Sequence, residues 1–204
     1  MPIYIFIPII ILFTLAPFVR NRLVKPKVTD GIQKPGRFDR FLVLFLTGLT
    51  IFIGLITLVG AVSGESEMTL VFAIMTVIFL AITLLLRREY NMTYEENDDY
   101  FIYNHKNKVY KVYYENIEDW EPGYNEIKIT DKMKPEEGFV RVNIAIIKPI
   151  ILLRKIADMT FAGKYEAIGD MNHRDPKREY EIVDFLIQNN YGHLVEDYAE
   201  QLNS

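Results

Sequence analysis

Two long apolar runs, residues 41–62 and 68–86, constrain this chain more than any other feature. They are separated only by the acidic turn Ser63-Gly64-Glu65-Ser66-Glu67, and neither contains a charged side chain. As helices rising 1.5 Å per residue they reach roughly 33 and 28 Å, close to the roughly 30 Å of a hydrocarbon core. Lipid offers no partners for backbone N–H and C=O, so segments of this kind cross it as helices. The runs therefore predict a transmembrane helical hairpin. Residues 1–19 form a third apolar segment. Basic residues follow it rather than precede it, and Ala16-Pro17-Phe18 is a poor cleavage site, so it reads as an uncleaved span kinked at Pro8 rather than as a signal peptide.

Charge separates the chain into unlike halves and orients it. Residues 1–86 carry seven basic and four acidic side chains, a net of +3, whereas residues 87–204 carry sixteen and twenty-three, a net of −7. The segment 20–40 holds Arg20, Arg22, Lys25, Lys27, Lys34, Arg37 and Arg40 against Asp30 and Asp39. Arg87 and Arg88 follow the last run, and the turn 63–67 has no basic residue. Short basic loops stay in the cytoplasm. The expected order is an outside N-terminus, a basic inner loop at 20–40, an outer turn at 63–67, and residues 87–204 inside as a cytoplasmic domain. Arg20, Arg22, Lys25, Lys27, Arg87 and Arg88 are then topology determinants; contact with anionic lipid is the second reading of the same residues.

Beyond residue 88 the periodicity changes to two. Tyr90–Tyr94, Tyr100–Tyr103, Val109–Tyr114, Glu126–Thr130 and the alternation of Val140, Val142 and Ile144 read as strands. The stretches 95–99 and 104–107 and the pair Pro122-Gly123 read as turns between them. The pattern is an antiparallel meander with one buried face. Pro149 suits the first position of a helix through Ile150, Leu153, Ile156 and Phe161, which lies either in the core or on the membrane surface. Asp175-Pro176 starts a second helix, with Tyr180, Val183, Leu186 and Ile187 at helical spacing, and residues 194–202 suit a short last one. The fold class is thus α+β: three membrane helices, then an antiparallel sheet domain with C-terminal helices.

The stretches YNMTYEENDDYFIY, KNKVYKVYYENIEDWEPG and YNEIKIT, following a membrane hairpin with an arginine-rich exit, resemble the bacterial pleckstrin-homology-like domains of small membrane proteins. The likeness covers roughly residues 88–148 and includes the step Tyr114-Glu115-Asn116-Ile117. It implies a curved sheet closed by a C-terminal helix and no catalytic residues. The apolar continuation 144–153 departs from the family pattern.

Chemistry-bearing motifs are sparse. His105, His173 and His193 are far apart, cysteine is absent, and no phosphate loop or nucleophile motif occurs. The carboxylates Glu118, Asp119 and Glu121 around Trp120 read as a solvated loop. The spans hold threonines but no ionisable group, against a carrier or intramembrane protease. The acidic second half excludes a nucleic-acid module. The expected function is a non-enzymatic, membrane-anchored interaction module that binds a partner protein or self-associates, with no cofactor or metal; the alternative is a sensor of anionic lipid through the basic loop and residues 150–161.

Overall fold

The computed structural model describes residues 27–29, 31–64, 66–165 and 175–198. The apolar segment 1–19, the basic residues Arg20, Arg22 and Lys25, His173 and the end of the expected last helix lie outside the described residues. The protein is a mixed α+β chain of two compact units, one built on residues 35–92 and the other on residues 28–34 with 93 onward.

The first unit is a hairpin of α1 (Arg37–Ser63) and α2 (Ser66–Glu89). Both helices extend beyond the apolar runs, because their ends are capped by other means. Asp39 Oδ2 accepts a bond from the Gly36 N–H at 3.0 Å at the start of α1. Gly64, at φ 80°, closes its C-terminus in the left-handed region that glycine adopts without strain. Arg87 and Arg88 occupy the last turn of α2, where positive charge opposes the helix dipole. The two helices are long and apolar enough to cross a membrane, with mean hydropathies of 2.6 and 2.8.

Leu46, Ile53 and Phe79 form the seam between α1 and α2, flanked by Leu42, Leu49, Phe72, Met75, Ile82 and Leu86. Threonines join it. Thr50 and Thr83 hydroxyls lie 3.3 Å apart, as do those of Thr57 and Thr76. Thr50, Thr57 and Thr76 also donate to carbonyls four residues earlier in their own helices. The glycines at six-residue spacing do not share one role. A Cβ on Gly54 would touch Thr76 at 3.7 Å and one on Gly60 would stand 2.7 Å from Thr69 Oγ1, while Gly48 faces open space.

The second unit carries eight strands: β1 (Lys27–Thr29), β2 (Ile32–Lys34), β3 (Met92–Glu96), β4 (Tyr100–His105), β5 (Lys108–Tyr113), β6 (Ile117–Gly123), β7 (Glu126–Asp131) and β8 (Phe139–Asn143). They form a five-stranded sheet in the order β1-β2-β3-β4-β5 and a three-stranded sheet in the order β6-β7-β8. The pairs β2/β3, β4/β5, β6/β7 and β7/β8 are antiparallel. A single 3-10 turn at Tyr114–Asn116 carries the chain from one sheet to the other. The buried faces alternate as period two requires: Phe101 and Tyr103 on β4, Ile127 and Ile129 on β7, Val140 and Val142 on β8.

Helix α3 (Ile150–Phe161) lays Leu152, Leu153, Ile156, Ala157 and Phe161 into this core, and the Trp120 indole of β6 donates to Thr160 Oγ1 at 3.2 Å. Helix α4 (Pro176–Gln188) begins at Asp175, whose carboxylate accepts from the Lys177 N–H at 2.9 Å. It buries Ile182, Val183, Phe185 and Leu186.

Several boundaries differ from the sequence expectation for local reasons. Residues 27–29 and 32–34, expected as an unstructured basic loop, are strands, because β2 has a partner in β3: Gln33 stands opposite Tyr94. Pro122-Gly123 is not a turn but the end of β6, with Pro122 opposite Ile127; the turn is Tyr124-Asn125, with Asn125 at φ 57°. Glu95 and Glu96 belong to β3 rather than to a turn. Pro149 is the N-cap of α3, one position before the expected place.

Candidate functional site

Of the residues singled out in the sequence, the described basic ones are apart. Lys27 lies exposed in β1, and Arg87 and Arg88 lie exposed at the end of α2. Leu153, Ile156 and Phe161 are packed within the second unit, which leaves Ile150 as the exposed apolar member of that group. The carboxylates near Trp120 are engaged: Arg178 pairs with Asp119 and lies 4.5 Å over the Trp120 ring, and Lys128 pairs with Glu121 at 3.3 Å. No group of three or more metal-ligating side chains occurs among the described residues.

One ionisable group, half-buried at the end of β3, was not legible as such in the sequence. Glu96 Oε2 accepts from the Leu152 N–H at 3.2 Å and from the Tyr94 hydroxyl at 2.9 Å, which makes the end of β3 a cap on the first turn of α3. Burial pushes the Glu96 carboxyl above the ordinary carboxylate range, opposed by these bonds. Its negative charge in turn adds to burial in holding the neighbouring phenols neutral: Tyr94 is raised well above its usual value and Tyr191 up to about 12. Tyr191 anchors the other side by donating to the Ile144 carbonyl at 3.0 Å. This cluster fastens α3 to the sheet.

The surface best built to act is the free edge of β5. Among the described residues, strand β5 ends the five-stranded sheet and pairs only with β4, through six consecutive positions from Tyr100↔Tyr113 to His105↔Lys108 with no bulge. Its turn, Lys106-Asn107, has φ of 53° and 63°, the tight turn with two left-handed residues whose twist matches a hairpin. That turn makes His105 and Lys108 a hydrogen-bonded pair. At the other end the Tyr114 N–H donates to the Asp99 carbonyl at 3.0 Å. Antiparallel pairs alternate between bonded and non-bonded. Counting from both ends gives the same answer: Lys108, Tyr110 and Val112 exchange bonds with β4, and the N–H and C=O of Val109, Lys111 and Tyr113 point to the open side.

The side chains sort with the same alternation. Val112 is buried opposite Phe101, while Val109, Lys111 and Tyr113 lie on the exposed face, with Val109 62% and Tyr113 39% exposed. Lys111 is held rather than loose: its Nζ stands 4.1 Å from the Tyr100 ring centre and 5.0 Å from that of Tyr113, a cation resting on two aromatic faces. Beside the edge runs a narrow cleft toward β8, lined by Tyr110, Lys111, Val112, Lys134, Glu137 and Val140.

Of the other sheet edges, β8 is also in unbroken register with its one neighbour but is a residue shorter than β5, and the remaining two are better guarded. β1 has only three residues. β6 contains a register shift between Ile117 and Asp119, and Arg178 Nη2 caps the Trp120 carbonyl at 2.8 Å. The sequence signal for the open edge was present in the alternation of Lys-Val-Tyr-Lys-Val-Tyr. What it lacked was strand order, which alone says that β5 has one neighbour.

Comparison with protein-family models, with curated proteins and with solved structures finds no match.

Proposed function

We propose that this chain is a membrane-anchored interaction module, with α1 and α2 crossing the bilayer as a hairpin and the sheet unit holding a partner protein on the cytoplasmic side. The observation that carries the reading is the bulge-free six-residue edge of β5, an open template for strand addition. The membrane part is supported by the hairpin's surface: only 17% and 11% of its two most apolar windows is buried, so these are not the core helices of a soluble unit. Residues 1–19 serve as a third span in this reading. The pairing of β2 with β3 on either side of the hairpin favours both of its ends emerging on one face of the bilayer. The basic residues flanking it, Arg37, Arg40, Arg87 and Arg88, favour that face being the cytoplasmic one. Two antiparallel sheets joined by the Tyr114–Ile117 corner and followed by helix α3 support a pleckstrin-homology-like domain. The lipid-sensor alternative loses its second half, since Leu153, Ile156 and Phe161 are buried.

The absence of native cysteine makes the orientation directly testable. Ser63→Cys in intact cells is labelled by a membrane-impermeant maleimide, and Glu137→Cys only after permeabilisation; the reverse pattern overturns the topology. For the partner, a photo-crosslinking residue replaces Val109 or, as a control on an exposed helix position, Tyr180. A discrete adduct in intact membranes from position 109 that position 180 does not give is the expected result. No adduct from any surface position of the sheet unit overturns the interaction reading.

A further inference from the structure

We infer that the β5 edge selects an extended segment of a partner protein with the alternating pattern apolar-x-acidic-x-apolar, its acidic side chain seated against Lys111. This rests on the interaction reading above and names what that site takes. A strand added antiparallel to β5 bonds the free backbone groups of Val109, Lys111 and Tyr113, and so faces those three residues in hydrogen-bonded pairs. Side chains directly opposite in such pairs lie on the same face and interact. The partner residue opposite Lys111 meets an ammonium group already fixed by the rings of Tyr100 and Tyr113, and a carboxylate complements it. The residues two positions to either side meet Val109 and Tyr113, where β-branched or aromatic side chains cover exposed apolar surface.

The local charge supports an acidic occupant. Residues 100–114 carry Lys106, Lys108 and Lys111 and no carboxylate, in a half of the chain whose net charge is −7; the two carboxylates of the adjoining cleft are engaged, Glu137 with Lys134 at 3.3 Å and Asp131 with the Met133 N–H at 2.9 Å. The same lysine disfavours a second copy of this chain. The register that matches Val109 with Tyr113 across a two-fold sets Lys111 opposite Lys111, and like charges directly opposite are destabilising.

The test uses the full chain in nanodiscs of phosphatidylcholine, which offers no anionic headgroup. The probe is a fluorescent nine-residue peptide with valine, glutamate and valine at alternate central positions and serine between them. Its partner probe has lysine for the glutamate. Anisotropy is expected to show the glutamate peptide binding at least about fivefold tighter, and the exposed substitution Lys111→Glu to invert the preference. Amide exchange at Val109, Lys111 and Tyr113 is expected to slow when the glutamate peptide is added. Equal binding of the two peptides, or an unchanged preference in Lys111→Glu, overturns the inference. Slow exchange of those three amides without peptide also overturns it, since the edge is then already covered by another copy. If the peptides fail while position 109 still gives its adduct in membranes, the interaction reading stands and the acidic pattern falls. If no surface position gives an adduct, both fall.

Discussion

The hairpin and the sheet unit sort the same kinds of side chain in opposite directions. Between α1 and α2, threonine hydroxyls and two glycines lie at the contact, with Ile51, Phe52, Leu58 and Val59 facing outward. In the sheet unit Trp120, Ile129 and Leu153 lie inside, and lysines and carboxylates coat the strands. The difference teaches what holds each part together. Burial of apolar area drives the sheet unit, at about 25 cal/mol per Å² removed from water. Between α1 and α2 the outward faces stay apolar, and the contact is made by close packing at glycine and by paired threonine hydroxyls.

The largest effect that sharpens this contrast is loss of a core side chain. Trp120→Ala removes a fully buried ring, its bond to Thr160 and the surface on which Arg178 stacks, and is expected to cost about 3–5 kcal/mol. Amide exchange of β7 in the full chain measures it. Next comes a matched pair of exposed apolar positions. Ile51 and Val109 are 60% and 62% exposed. Lysine at Ile51 is expected to cost about 2.5–3.5 kcal/mol in a membrane-insertion assay, whereas Val109→Lys leaves folding unchanged within about 0.5 kcal/mol. Equal tolerance at the two sites would erase the distinction between the units.

Glycine spacing offers a finer test. Gly60→Leu drives a side chain into Thr69 and is expected to destabilise the hairpin by about 1–3 kcal/mol in detergent unfolding, while Gly48→Leu, facing open space, is near neutral. For the sheet unit the corresponding probe is pH. Burial raises the Glu96 carboxyl above its unfolded value, so its contribution is fully present below the ordinary carboxylate range and is lost as pH rises through the raised folded value. Wild type is therefore expected to lose stability relative to Glu96→Gln as pH climbs from about 4 toward neutrality. A parallel pair of denaturation curves at every pH would remove the account of Glu96 as a half-buried cap. The smallest effect is the coupling of Thr50 to Thr83. A double-mutant cycle with valine is expected to give about 0.6 kcal/mol, the average for hydroxyl bonds between membrane helices.

The hairpin and most strands were legible because each declares itself over a short window: charge-free runs long enough to span, and alternation of Tyr, Val and Ile with polar residues. What escaped depended on partners distant in sequence. Residues 27–34 look like a basic loop until Gln33 is set opposite Tyr94, and Glu96 looks like one more turn carboxylate until the first turn of α3 arrives fifty-six positions later. Pro122-Gly123 misleads for a related reason, since an edge strand tolerates a proline that a central strand would reject. At the candidate site, the face of Val109, Lys111 and Tyr113 could be read from periodicity. Its open side could not, because a hydrogen-bond vacancy is a property of strand order and not of residues 108–113 themselves.

The pairing of β2 with β3 has a consequence in time as well as in space. During synthesis β2 leaves the ribosome about sixty residues before its partner, and a flexible loop of that length would cost roughly 3–4 kcal/mol of entropy to close. Here the intervening chain is the α1/α2 hairpin, which returns its own ends to each other once it has formed. A formed hairpin thereby lowers the entropic cost of pairing β2 with β3.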